Sequence, residues 1–156
     1  MRDNNDMPGH LARRFQQIAV AIFHAEVEAA GYDLTPVQYA ALAALQQNPG
    51  IDQATLAGLI AYDRTTITGV IDRLVQKRLL VRTASARDRR ANVLEMTDYG
   101  HATLEGVVPA VEAAQKVMLR GLTAEETTQF LELFRKAISA VNDLSRAPLK
   151  TAARDA

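Results

Sequence analysis

The side chains best equipped for chemistry lie close together. Residues 64–90 carry Arg64, Arg73, Lys77, Arg78, Arg82, Arg87, Arg89 and Arg90 against only Asp72 and Asp88. Positive charge at that density is the footprint of an anionic partner, and a nucleic acid is the polyanion it fits best. Within the same stretch stand Thr65, Thr66, Thr68 and Gly69, where an ordinary exposed helix would favour Glu, Lys or Ala. Small side chains let a helix approach DNA closely, and hydroxyls can bond phosphate oxygens or base edges. Arg87-Asp88-Arg89-Arg90 follows in a polar run with nothing to bury, which suits the narrow minor groove. Asp88 there would brace an arginine.

The elements needed to position these residues can be read from spacing. Apolar Leu11, Phe15, Ile18, Ile22 and Ala25 recur at helical intervals, predicting a first helix over 11–30 that stops at Gly31. Thr35-Pro36-Val37-Gln38 has the order of a capping box with proline in the first turn, so a second helix runs from there to about Leu45. After the turn Asn48-Pro49-Gly50, Asp52 caps a short third helix and Asp63 a fourth. If Ile67, Val70, Ile71 and Leu74 form the buried stripe of that fourth helix, its open side is Thr65, Gly69, Asp72 and Gln76, flanked by Thr66, Thr68 and Arg73. The helix start near Arg64 adds free N–H groups for phosphate. Gln53 and Thr55 could act likewise, although simple capping explains them equally well.

From Leu79 the pattern becomes strand-like: 80–82 and 93–96 predict a hairpin around an arginine-rich loop. Thr97 or Asp98 then opens a long helix to about Arg120, kinked near Pro109 and closed by Gly121. Thr123-Ala124-Glu125-Glu126 caps a last helix whose apolar face is Phe130, Leu133, Phe134, Ala137, Ile138 and Val141, with a frayed tail after Arg146. Four helices, a hairpin and two more helices make a mainly α fold with a small β-hairpin wing, a winged helix-turn-helix flanked by N- and C-terminal helices. Those outer helices must bury their stripes somewhere.

Bulk properties narrow the function classes. The 156 residues balance 18 basic against 18 acidic side chains, which argues against an architectural polycation that coats DNA without sequence preference. A protein-binding wing would favour aromatic or apolar side chains at its tip, unlike this one. No cysteine is present, the first residues are polar, and no apolar stretch approaches the roughly 20 residues of a membrane span; a cytoplasmic protein with no membrane partner is expected. An enzyme would need a nucleophile with its base, a metal cluster or paired acids. His10, His24 and His101 are isolated and no glycine-rich phosphate loop occurs, so no catalytic residue, cofactor or metal site is expected.

Asp63-Arg64-Thr65-Thr66-Ile67-Thr68, Asp72-Arg73-Leu74, Leu80-Val81-Arg82, Asp88-Arg89-Arg90 and Met96-Thr97-Asp98-Tyr99-Gly100 together resemble the recognition helix, wing and exit of the MarR (multiple antibiotic resistance regulator) family, over about residues 11–144. The resemblance implies a cytoplasmic homodimer, with residues 35–97 as the DNA-binding lobe and 9–30 and 98–146 as dimerisation helices within a single unit spanning 1–156. It implies a sequence-specific regulator on a pseudo-palindromic operator, most often a repressor relieved by a small aromatic carboxylate or phenol. Arg90 would be the wing arginine in the minor groove, oriented by Asp88. The DNA-binding set is then Gln53, Thr55, Arg64, Thr65, Thr66, Thr68, Gly69, Arg73, Lys77, Arg87, Asp88, Arg89 and Arg90.

Two positions depart from the family pattern. Arg78 stands where glycine is usual, so the fourth helix is expected to exit differently or to place an extra charge near phosphate; Met96 replaces a leucine with little consequence beyond packing. For an effector, His10 and Arg14 lie one turn apart and could grip an anion, with Phe23 and Tyr39 as apolar walls beside Phe15. An exposed helix start and ordinary core aromatics would look the same.

Overall fold

Helix boundaries follow the capping residues. The computed structural model describes residues 4–152; residues 1–3 of the polar start and 153–156 of the tail lie outside the described residues. The chain forms α1 (Pro8–Ala29), α2 (Pro36–Gln47), α3 (Gln53–Leu59), α4 (Ile67–Gln76), β1 (Leu80–Ala84), β2 (Asn92–Met96), α5 (Asp98–Met118) and α6 (Ala124–Ala140). Both expected capping boxes form: Thr35 with Gln38 at α2 and Thr123 with Glu126 at α6. Asp52 caps α3 and Thr97 caps α5 through Gly100 N–H. Gly31, at φ +84°, ends α1 as only a residue tolerant of the left-handed region can.

The strands pair antiparallel with Leu80 opposite Met96 and Ala84 opposite Asn92, and the backbone of Gly50 and Ile51 bonds Leu94 on the other edge of β2. Leu80 and Leu94 turn inward. They join Leu42, Leu45, Leu56, Ile67, Ile71 and Leu74 in one core that continues to Val27 of α1 and Val107 of α5. The wing base, α2 to α4 and the lower halves of the long helices therefore share a single packed interior.

Several local expectations need correcting. Asp63 does not cap α4 directly; its carboxylate accepts Thr65 N–H and hydroxyl, and its carbonyl accepts Thr66 and Ile67 N–H, so residues 64–66 make a turn and the helix starts at Ile67. α5 contains Pro109 and ends at Met118, capped by Leu119 rather than Gly121. Of the expected α1 stripe, Leu11, Ile18 and Ala25 are exposed and Phe15 and Ile22 only partly buried; the buried residues of α1 are Phe23 and Val27.

The tail is docked rather than frayed, at least through Lys150. The Asn142 side chain bonds the backbone of Leu149 in both directions, at 2.9 and 3.0 Å, and Lys150 N–H donates to Gly58 O at 2.8 Å.

Arg78 also differs from expectation. It takes the left-handed conformation itself, φ +61°, with Arg78 N–H on Val75 O and Leu79 N–H on Leu74 O, the pattern a glycine would complete. The exit of α4 is thus preserved, at the expense of steric strain in a residue that carries a Cβ. Arg78→Gly is expected to stabilise the fold by about 0.5–1 kcal/mol, raising the thermal midpoint by about 1–4 °C in a calorimetric scan. A lower midpoint would show that the Arg78 side chain holds something more than its exposed position suggests.

Candidate nucleic-acid interface

The amphipathic split of α4 decides which of its side chains are available. Ile67, Val70, Ile71 and Leu74 are buried, so Thr68, Gly69, Asp72, Arg73 and Gln76 lie on the open side. A methyl group at Gly69 would meet nothing within 4 Å, leaving the middle of this face open to close approach. Gln53 Nε2 donates to Thr68 Oγ1 at 2.6 Å, so the α3 start is locked onto α4 and both present one polar surface. Thr65 and Thr66 sit in the preceding turn, where their hydroxyls donate to Asp63 yet keep lone pairs for a donor.

The wing is fixed to this face. Arg82 of β1 pairs with Asp72 of α4, which removes a carboxylate from the field that a polyanion would meet. At the tip, Asp88 accepts the Arg90 backbone N–H at 2.9 Å and Ser85 accepts that of Arg87 at 3.2 Å. Asp88 thus braces the main chain of Arg90 and leaves the arginine side chains of the exposed tip, Arg87, Arg89 and Arg90, to project outward.

Lys77, one of the expected contacts, is engaged within the protein. Its ammonium donates to Asp33 O at 2.7 Å and to Gln38 Oε1 at 3.0 Å, with the Asp33 carboxylate 3.3 Å away. As the C-cap of α4 it points back toward the α1–α2 loop, not toward the open face. Gln38, which the sequence offered only as a cap, is the buried acceptor of this link.

Asp52 carries a pH signature. The Thr55 backbone N–H at 2.7 Å, seconded by the Thr55 hydroxyl, holds its carboxyl below the ordinary value of 3.8 against partial desolvation, with Arg64 adding attraction. A carboxylate with a depressed folded pKa stabilises the fold fully above its unfolded value, and that contribution fades as the pH falls through the folded one. Asp52→Ala should therefore cost about 1 kcal/mol at neutral pH, and the difference from the parent in urea denaturation should shrink below about pH 4. A gap that is constant with pH would mean that the charge of Asp52 is irrelevant to its cap.

The expected effector residues divide into two groups. Phe23 and Tyr39, with ring centroids 6.2 Å apart, line a cavity of about 280 Å³ between α1, α2 and α5, together with Gln16, Val111, Gln115 and Met118. His10 and Arg14 are not among its lining residues: they stand in the first turns of α1, about 14–20 Å from Phe23 along the helix axis. Arg13 Nη2 lies 3.5 Å from His10 Nδ1.

Residues 32–91, which hold the helix-turn-helix and most of the wing, match the model of the MarR family. The transcriptional repressor NicR of Pseudomonas putida is 32% identical over 138 residues, 88% of this chain and 86% of that protein. The chain belongs to the MarR family. Two solved structures superimpose with a TM-score of 0.81: PcaV of Streptomyces coelicolor in complex with its natural ligand, 33% identical over 90% of this chain and 98% of PcaV, and Bordetella bronchiseptica BpsR, 31% identical over 88% and 96%. The BpsR structure addresses regulation of its DNA binding by 6-hydroxynicotinic acid.

As a MarR-family winged helix protein the chain is a DNA-binding transcriptional regulator, and regulators of this family are generally not enzymes. Among the described residues no helix is long and apolar enough to cross a membrane.

Proposed function

We propose that this regulator is a homodimeric repressor that grips a pseudo-palindromic operator with two copies of α4 and two wings, and is released by a small aromatic effector. The observation that carries the operator reading is the pairing of an open, small-residue α4 face with an arginine-bearing hairpin held to it through Asp72 and Arg82. α4 suits the major groove and the wing the flanking minor groove. In this reading Thr65, Thr66, Thr68 and Gly69 approach base edges. Arg64, Arg73, Gln53 and Thr55 serve the phosphates, and Arg87, Arg89 and Arg90 the wing.

Residues 35–97 form the DNA-binding lobe, and 9–30 with 98–146 the dimerisation helices. Support for the dimer comes from α6, which buries no residue and leaves Leu133 and Ile138 59% and 52% exposed, beside the exposed Leu11 and Ile18 of α1. Its hold on the rest of its own chain is largely the aromatic cluster of Phe130 and Phe134 with Phe15. Exposed apolar side chains on two helices that meet through Phe15, Phe130 and Phe134 call for a second copy.

For the effector, the Phe23–Tyr39 cavity offers aromatic walls with two amides, Gln16 and Gln115, to orient polar substituents. 6-Hydroxynicotinic acid, which regulates DNA binding by BpsR, is an aromatic acid with the matching chemistry.

The test is an anisotropy titration against duplex from upstream of the protein's own gene, beside a scrambled duplex, at physiological ionic strength. Selective binding at one dimer per site, weakened by 6-hydroxynicotinic acid or benzoate as probes, is the expected result. Equal weak binding to both duplexes overturns the operator reading. Selective binding untouched by any aromatic acid overturns the effector half alone.

A further inference from the structure

The C-terminal strap joins two regions that the rest of the fold keeps apart. α6 has few contacts with the helix-turn-helix, yet the residues after it fold back onto α3. The Asn142–Leu149 bonds close a loop, Arg146 pairs with Asp63 at 3.3 Å, and Lys150 is anchored by its own N–H on Gly58 O. The Lys150 stem lies across Gly58, where an added Cβ would come within 2.9 Å of its Cδ. Glycine at this point of α3 is what gives the lysine a seat.

This docking places charge where the DNA-binding reading needs it. Lys150 and Thr151 face Thr55, Leu59 and Arg64 across an open cavity of about 300 Å³. The hollow is also lined by Ala54, Leu59 and Ala152, and Thr55 already bonds the Asp52 carboxylate, so its charge comes from two cations, Arg64 and Lys150, which match the non-bridging oxygens of a phosphodiester. Arg64 opens the turn that leads into α4, so a cation sharing its cavity is within reach of the strand that borders the groove α4 would enter. The strap also quiets an acid at the same spot. Of the carboxylates flanking α4, Asp72 is paired with Arg82 and Asp63 with Arg146.

We propose that residues 146–151 are a third element of the DNA interface, in which Lys150 beside Arg64 holds a backbone phosphate outside the base-reading contacts. The proposal rests on the operator reading above and adds to it a sequence-independent contact from a segment outside the winged motif. Its role is affinity and register on the duplex, not choice of bases.

Salt dependence separates this from a structural role. Each lost phosphate contact lowers the slope of log affinity on log salt by about 0.9, so Lys150→Gln in a dimer should flatten it by about 1.8, whereas Lys150→Arg should keep it. Gly58→Leu, which unseats the strap and leaves the lysine intact, should flatten the slope likewise. Lys150→Gln with the parent slope, in a protein that still binds its operator tightly, overturns the proposal. Titration with inorganic phosphate at constant ionic strength, followed by phosphorus resonance broadening, distinguishes a free-anion site. Phosphate binding that depends on Lys150 while the operator slope does not would assign the cavity to a free anion and again overturn the proposal. If the parent protein binds no duplex at all, the operator reading fails and this one falls with it. If the operator is bound and Arg90→Ala weakens it while Lys150→Gln changes nothing, the strap alone is refuted.

Discussion

Arg90→Ala is expected to weaken operator binding by about 1–3 kcal/mol, a loss of about 5- to 150-fold, without changing the thermal midpoint. The argument is local. Arg90 is exposed at the hairpin tip and its guanidinium supports no packing, so truncating it removes an arginine that the wing projects outward and nothing from the core. Its backbone, by contrast, is held by Asp88 at 2.9 Å, which limits the ordering entropy that binding must still supply. Asp88→Ala should therefore reproduce part of the loss even though it removes a negative charge from the tip. A purely electrostatic tip would respond in the opposite sense, binding more tightly once the acid is gone. Measuring both variants by the same anisotropy titration, with circular dichroism to confirm the fold, decides the matter. Affinity of Arg90→Ala within twofold of the parent would remove the wing from the interface.

Much of this architecture was legible because its signals are local. Thr35, Asp52, Thr97 and Thr123 cap the helices that follow them through their own side chains, and such bonds span only a few residues. The same logic explains the misplaced start of α4. Asp63 has the chemistry of a cap, but its carboxylate reaches Thr65 N–H two residues on, and that choice between a cap and a turn lies in backbone geometry rather than residue type.

Long-range partners were not legible. Lys77 reads as one more cation of a basic run until Asp33 and Gln38, far away in the chain, are brought beneath it. The seat of Lys150 on Gly58 depends on where α6 delivers the tail, for which no motif exists. The effector residues show the same limit: Phe23 and Tyr39 converge through the packing of α1 on α2, while His10 and Arg14, though on the same helix as Phe23, stand several turns from the cavity. Helical periodicity gives a face but not the level at which another element meets it.

Gly100→Ala is expected to cost about 3 kcal/mol or more, a large share of the total stability of a domain this size. In an unconstrained helix the same change would stabilise by about 0.5–1 kcal/mol. Here an alanine methyl would overlap the Leu79 carbonyl oxygen and lie 2.6 Å from Met96 Cγ. The first of these is backbone, and it cannot move freely. Leu79 O accepts Thr97 N–H at 3.1 Å, Thr97 Oγ1 donates to Arg78 O at 2.7 Å, and Gly100 N–H returns to Thr97 Oγ1 at 2.9 Å. The exit of α4, the entry to β1, the end of β2 and the start of α5 thus meet at one crowded point, and the missing side chain of Gly100 lets them approach so closely. Relieving the overlap would require the α4–wing unit to shift against α5, one of the proposed dimerisation helices. A urea or thermal midpoint close to that of the parent would mean the junction is softer than its hydrogen bonds indicate. A collapsed midpoint that an operator duplex partly restores would instead show that the loss falls on the relation between wing, α4 and α5, because DNA stabilises only the arrangement that binds it.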